Sequence, residues 1–293
     1  MPLAATPPAE EILNEARELM GEDAREMACG PFRLITDVEG PLVESCPRLA
    51  GQLDRLYAGR TGLEPAGGPA EAILLFNSQG AFSVFRTRVF PESRRHAFAS
   101  PARGFVAVAA GGRIVEQIQA TLVHELVHLM NRRFLGPALP SWLDEGLAGE
   151  LAMSRIAEDG ALAPASLGRW EAGTGRARLM GGGRIELGGL RTSMRRGDLP
   201  TLETLVRLDR AGFQTEERFQ THYSLSAFWV RYLLSGESLA GEDGFRSFLA
   251  AVAEGQPLDE SLLLTNLGTG WPELETGFRR WLDNGAAMDG EPL

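Results

Sequence analysis

His124-Glu125-Leu126-Val127-His128 puts two imidazoles four residues apart inside a stretch, Ile114 to Asn131, that contains neither glycine nor proline. No other feature constrains the fold as much, because the two rings share a direction only if this stretch is helical. On a helix, positions i and i+4 project from one face, so two ring nitrogens can meet at a single ion. Glu125 lies about 100° round such a helix from His124, off the ligand line but beside the place where water would meet that ion. Val115, Ile118, Leu122, Leu126 and Leu129 form an apolar stripe, with Gln117, Thr121, His124, His128 and Asn131 opposite. The pattern predicts a helix with one face in a core and the other on a polar cleft. Gly136-Pro137 is its expected stop.

Two histidines do not complete a catalytic zinc site, which takes three protein ligands and leaves one position open. The next segment, Leu139-Pro140-Ser141-Trp142-Leu143-Asp144-Glu145-Gly146-Leu147-Ala148, offers a third. Ser141 with Asp144 reads as a capping box opening a second helix, with Glu145 in or near its first turn. Ala148, Gly149 and Ala152 are small enough to let this helix approach the first closely. Glu145 is the expected third ligand. Asp144 is expected to orient a histidine ring from behind, with Glu150 a second candidate for that role.

His124-Glu125-x-x-His128 followed by Trp142-Leu143-Asp144-Glu145-Gly146-Leu147-Ala148 resembles the gluzincin metallopeptidases. Within that group the chain is most similar to the bacterial peptidase MA-like families, distant relatives of aminopeptidase N. The resemblance implies Glu145 as third zinc ligand and one Zn²⁺ per chain. Phe32-Arg33-Leu34-Ile35-Thr36-Asp37 looks like the family's opening strand. Leu199-Pro200-Thr201-Leu202 and Tyr223-Ser224-Leu225-Ser226-Ala227-Phe228 resemble its C-terminal helical part. No Gly-x-Met-Glu-Asn segment, which captures the substrate amine in the aminopeptidase relatives, occurs between residues 70 and 123. The resemblance therefore implies peptide hydrolysis without an aminopeptidase specificity.

Hydrolysis of an amide builds negative charge on the carbonyl oxygen, and a phenol or imidazolium aimed at it stabilises that charge. His222 and Tyr223 adjoin an apolar run, Ser224 to Leu234, that reads as a buried helix. The family places a tyrosine at the start of the corresponding helix, which here is Tyr223; the other reading is an aromatic tucked against the core. His222 is expected at the surface, and His96, in Arg94-Arg95-His96, in a solvated loop.

A formal charge of −10 argues against nucleic acid as the main partner. All 29 basic residues are arginine, and the pairs Arg94-Arg95, Arg132-Arg133 and Arg195-Arg196 read as solvated surface charge. Cys29 and Cys46 lack zinc-site spacing and could form one disulfide or remain small apolar residues. The first residues lack the basic and apolar regions of a secretory signal, so the chain as written reads as cytoplasmic, or as exported if a leader has been removed. No apolar run reaches the roughly 20 residues of a membrane span.

The expected fold class is α+β, a zincin-like metallopeptidase fold. A tail and short helix would occupy 1–29, with residues 10–28 as a loosely packed amphipathic helix. A single catalytic domain would span 30–283 and a disordered tail 284–293. Within that domain, a first lobe (30–158) would hold a mixed sheet and the zinc helix. Strands are predicted at Phe32–Asp37, Ala72–Phe76 and Gly104–Ala109, with a helix at Leu49–Tyr57. Gly104–Ala109 has two readings, an edge available to an extended substrate or an ordinary core strand. A glycine-rich connection (159–198), read as a hairpin or mobile flap, would lead to a helical lobe (199–283) with Trp271 and Trp281 buried. The glycines of 173–189 lack phosphate-loop spacing. The expected activity is a zinc-dependent peptidase on a peptide or protein substrate, with His124, His128 and Glu145 as ligands, Glu125 as general base and Tyr223 at the oxyanion. The alternatives are a non-catalytic binding or scaffold protein of the same fold, and a zinc hydrolase of a non-peptide amide or ester.

Overall fold

A computed structural model describes residues 10–63, 71–91, 95–156, 161–163, 176–178, 184–215, 217–235, 238 and 241–283. Twelve helices of these residues are numbered α1 (Glu10–Met20), α2 (Pro41–Thr61), α3 (Gln79–Val89), α4 (Val115–Leu135), α5 (Ser141–Ala152), α6 (Leu187–Arg196), α7 (Leu202–Arg207), α8 (Arg210–Phe213), α9 (Phe219–Leu234), α10 (Gly241–Ala253), α11 (Glu260–Leu267) and α12 (Trp271–Asp283). The strands are β1 (Arg25–Cys29), β2 (Phe32–Thr36), β3 (Ala72–Phe76), β4 (Ala97–Ser100), β5 (Phe105–Ala109), β6 (Arg155–Ile156), β7 (Leu162–Ala163), β8 (Arg176–Arg178) and β9 (Arg184–Glu186). The fold is α+β.

Five strands form one mixed sheet in the order β1-β2-β3-β5-β4. β2, β3 and β5 run parallel, and β1 and β4 close the two edges antiparallel. Both faces are covered, which is why β3 (AILLF) and β5 (FVAVA) read as unbroken apolar runs. Leu34, Ile73, Leu75, Val106 and Val108 face the core shared with α2 and α4. The alternate residues Ile35, Leu74, Phe76 and Phe105 face α1 and α3, where Phe82, Phe85 and Phe98 fill the space. The α2–α4 side continues without a break into the helical second half, so one cluster of buried apolar side chains reaches from Cys29 to Leu282.

Several expectations need correction. Residues 10–28 are not one loose helix: α1 ends at Met20, Leu13 and Ala16 are fully buried, and Arg25–Cys29 joins the sheet as an edge strand. An edge strand half open to solvent carries polar residues such as Arg25 and Glu26, which hid it. The helix expected at Leu49–Tyr57 runs from Pro41 to Thr61, with Pro47 inside it. Pro47 falls in the second turn, where the helix continues despite the bond its nitrogen cannot give. Gly104–Ala109 is an interior strand, flanked by β3 and β4, so the edge reading fails and the free edge belongs to β4. β4 and α3 are additional to the expected elements. Trp281 is buried, but Trp271 is only partly so, with its indole donating to Glu260 at 2.6 Å. In the glycine-rich connection, β8 and β9 pair as a hairpin; most of the remainder of 159–183, and the tail 284–293, lie outside the described residues. Cys29 and Cys46 are buried free thiols.

Candidate metal centre

α4 carries the histidines. It is long because nothing interrupts it from Val115 to Leu135, and it stops where expected, at Gly136, whose φ of 98° a side chain would resist. The chain turns through Pro137 and Pro140 into α5. Ser141 is not the cap: Pro140 precedes the first helical residue, with no side-chain capping bond. Asp144 is instead directed back at α4. The other side of α5 lies against α9 so closely that a Cβ on Gly146 would stand 2.6 Å from Val230 Cγ2 and 2.9 Å from the Ser226 carbonyl. α5 is thus clamped between the histidine helix and α9, which fixes where Glu145 points.

The three expected ligands converge. His124 Nε2 and His128 Nε2 are 3.2 Å apart, and Glu145 Oε2 lies 3.3 Å from the first and 3.7 Å from the second. Ligands about 2.0–2.2 Å from a tetrahedral ion stand roughly 3.3–3.5 Å from one another, so the trio has the dimensions of a zinc cage. Glu145 Oε2 is also buried without an aligned hydrogen-bond donor, an arrangement that costs free energy unless a cation compensates it. Among the described residues no other group of three or more such side chains converges in this way.

Behind these three side chains runs a chain of supports. Asp144 Oδ1 lies 2.9 Å from His128 Nδ1 and accepts from the Asn131 amide at 2.8 Å. That amide also donates to the Asp144 carbonyl at 3.1 Å, and Tyr57 donates to Asn131 Oδ1 at 3.0 Å. Asn131 is therefore fully buried structural support and not a cleft residue. Glu150, the second candidate for orienting a ring, does something else: it pairs with Arg60 at 2.6 Å and with Arg231 at 3.8 Å.

Burial opposes charge on His128, but the carboxylates of Asp144, Glu145 and Glu125 outweigh it and push the imidazolium up to about 10. Burial likewise opposes charge on Glu145, but His124, His128 and the more distant Arg95 bring it down to about 2.

Glu125 is buried and lines the same cavity as His128 and Glu145. Tyr223, in the second turn of α9, brings its hydroxyl to 2.8 Å from His124 Nε2 and 3.0 Å from Nδ1. Burial, reinforced by Glu145 and Glu125, raises the phenol well above its ordinary range, so it stays protonated and can donate. The helix begins at Phe219, a turn before the expected start. His222 is not at the surface: it is buried, with Nδ1 3.0 Å from the Phe213 carbonyl, and ties α9 to α8. His96 is partly buried, and burial together with Arg113 and Arg86 lowers its pKa.

The arginine pairs hold residues that sequence reasoning missed. Arg133 is buried and paired with Glu71, while Arg95 and Arg132 line the metal-side cavity. Arg195 and Arg196 are exposed, and Arg94 lies outside the described residues. The one available signal for Arg132 was its place four residues beyond His128 on the same helix face. No family model matches this chain, and no curated protein matches it.

Proposed function

We propose that the chain is a zinc-dependent peptidase of the gluzincin type with a zincin-like fold. One observation carries this reading: His124, His128 and Glu145 bring nitrogen and oxygen atoms to 3.2, 3.3 and 3.7 Å from one another, beside a cavity lined by His128, Glu145 and Glu125. His124, His128 and Glu145 hold Zn²⁺, which when bound supplies Lewis acidity toward water and a carbonyl oxygen. Glu125 takes the proton from the attacking water and passes it to the leaving amine. Tyr223 donates a hydrogen bond to the carbonyl oxygen as it gains charge. Asp144 keeps the His128 ring turned toward the ion. The free edge of β4, whose Phe98 and Ala99 line the cavity, offers backbone partners to an extended peptide.

The test is elemental analysis beside a peptide-library cleavage assay, on wild type and Glu125→Gln. About one zinc per chain in both is expected, with cleavage lowered by a factor of roughly 10²–10⁴ in the variant. Zinc without cleavage of any peptide by the wild type would refute the peptidase reading, and a chain that binds no zinc would refute the site.

A further inference from the structure

The cavity beside the proposed metal centre is about 270 Å³, a little below the usual range for small-molecule sites and enough for one or two peptide residues. Arginines from three separate parts of the chain line it. Arg95 precedes β4 and is near enough to lower the Glu145 pKa. Arg132 sits one turn beyond His128 on α4, and Arg210 opens α8 in the helical half.

Carboxylates outnumber arginines 39 to 29, and several arginines are bound to them: Arg17 and Arg33 to Glu26, Arg60 to Glu150, Arg207 to Glu260. Arg132 and Arg210, by contrast, have no described carboxylate within ion-pairing distance and no side-chain hydrogen bond to a described residue. The carboxylates lining the cavity are Glu125, Asp144 and Glu145, and each already has a task in the proposed chemistry. Three arginines balance these three carboxylates, and a divalent cation would then leave the cavity positive overall. A cleft of one sign concentrates ligands of the other, and guanidinium is the group that best matches a carboxylate's two oxygens.

We infer that Arg132 and Arg210, with Arg95 at the rim, form a subsite for a substrate carboxylate next to the scissile bond, so that the peptides cleaved are acidic at this position. The inference rests on the peptidase reading of the same cavity. The carboxylate could come from an aspartate or glutamate side chain or from the substrate's own C-terminus; the recognition chemistry is shared.

Zinc-loaded full-length protein is given peptides differing at one position, Glu, Gln or Lys, each with a free or amidated C-terminus. A kcat/KM at least roughly tenfold higher for the carboxylate form than for its amide is expected. Preference for Glu regardless of the terminus identifies the side chain as source, and preference for the free terminus alone identifies the chain end. Arg132→Gln and the exposed Arg210→Gln are each expected to bring the acidic-to-amide ratio toward one, and Arg210→Glu to favour Lys. Binding is measured separately by fluorescence anisotropy of a labelled Glu-containing peptide on zinc-loaded Glu125→Gln protein, whose turnover is suppressed. Salt-sensitive binding, weakened roughly tenfold in Arg210→Gln, is expected. Turnover with equal rates for Glu and Gln peptides would overturn the acidic subsite and leave the peptidase reading standing. Selective binding of the acidic peptide without any turnover would do the reverse.

Discussion

At the scale of single residues, the proposed chemistry divides among groups that differ in how they meet the site. Tyr223 meets His124 through its hydroxyl and through ring packing at 5.4 Å, so removing only that oxygen tests the hydroxyl and leaves the packing in place. Tyr223→Phe is expected to keep its zinc and to lose roughly 10²–10³ in kcat with little change in KM, the usual effect of deleting one donor to a developing oxyanion. Steady-state kinetics beside metal analysis decides it, and an unchanged kcat would reduce Tyr223 to a packing residue. The convergence of the three proposed ligands was legible in the sequence because they are local: His124 and His128 share a helix face, and Glu145 follows on the next helix. Asp144 was legible as a partner for histidine but not as an acceptor for Asn131, since its capping role looked equally good on paper. His222 was misjudged because a lone histidine beside an apolar run carries no mark of the Phe213 carbonyl it meets. The arginine cluster was illegible for a like reason. Its members come from a loop, a long helix and a short one, and only folding brings them together.

Among the elements, α5 is the one under most constraint. It supplies Glu145 and Asp144 to one neighbour while pressing Gly146 against the other. Gly146→Ala would force its methyl into Val230 and the Ser226 carbonyl, and over-packing of this kind costs about 1–3 kcal/mol. Lower thermal stability together with weaker zinc binding is the expected outcome, read by calorimetry and by competition with a chelating dye. Loss of stability with unaltered zinc affinity would mean that α5 does not transmit the clamp to Glu145. The long uninterrupted α4 and the wholly buried β3 and β5 were the elements easiest to read. α2 was truncated in the reading because Pro47 looks like a boundary, although the helix runs through it. β1 and β4 escaped because they are short and lie at sheet edges, where one side of the pattern answers to solvent. Of the two readings of β5, the ordinary core strand is the one the sheet bears out, and the edge belongs to β4.

For the whole molecule, the joint between α4 and α5 lies within one continuous apolar core, so an ion held there is linked to global unfolding. Free zinc at a hundred times its Kd adds about 2.7 kcal/mol to the folded state. For a chain of this size that corresponds to roughly 4 °C in Tm. Scanning calorimetry with and without a chelator should show such a fall in the wild type and none in His124→Ala; a zinc-containing protein whose Tm ignores the chelator would contradict it. The α+β class could be read before the structure was known, but the seamless core could not, since periodicity reports which faces are apolar and not which faces meet. The spacing of the centre along the chain also sets an order of events. His124 and Glu145 are separated by 21 positions, whereas Tyr223 stands 99 beyond His124. At ribosomal speeds of about 5–20 residues per second, the three proposed ligands have all been synthesised on the order of 4–16 s before Tyr223 is added. The nascent chain carries the complete set of groups for holding an ion before it carries the phenol that would stand beside it.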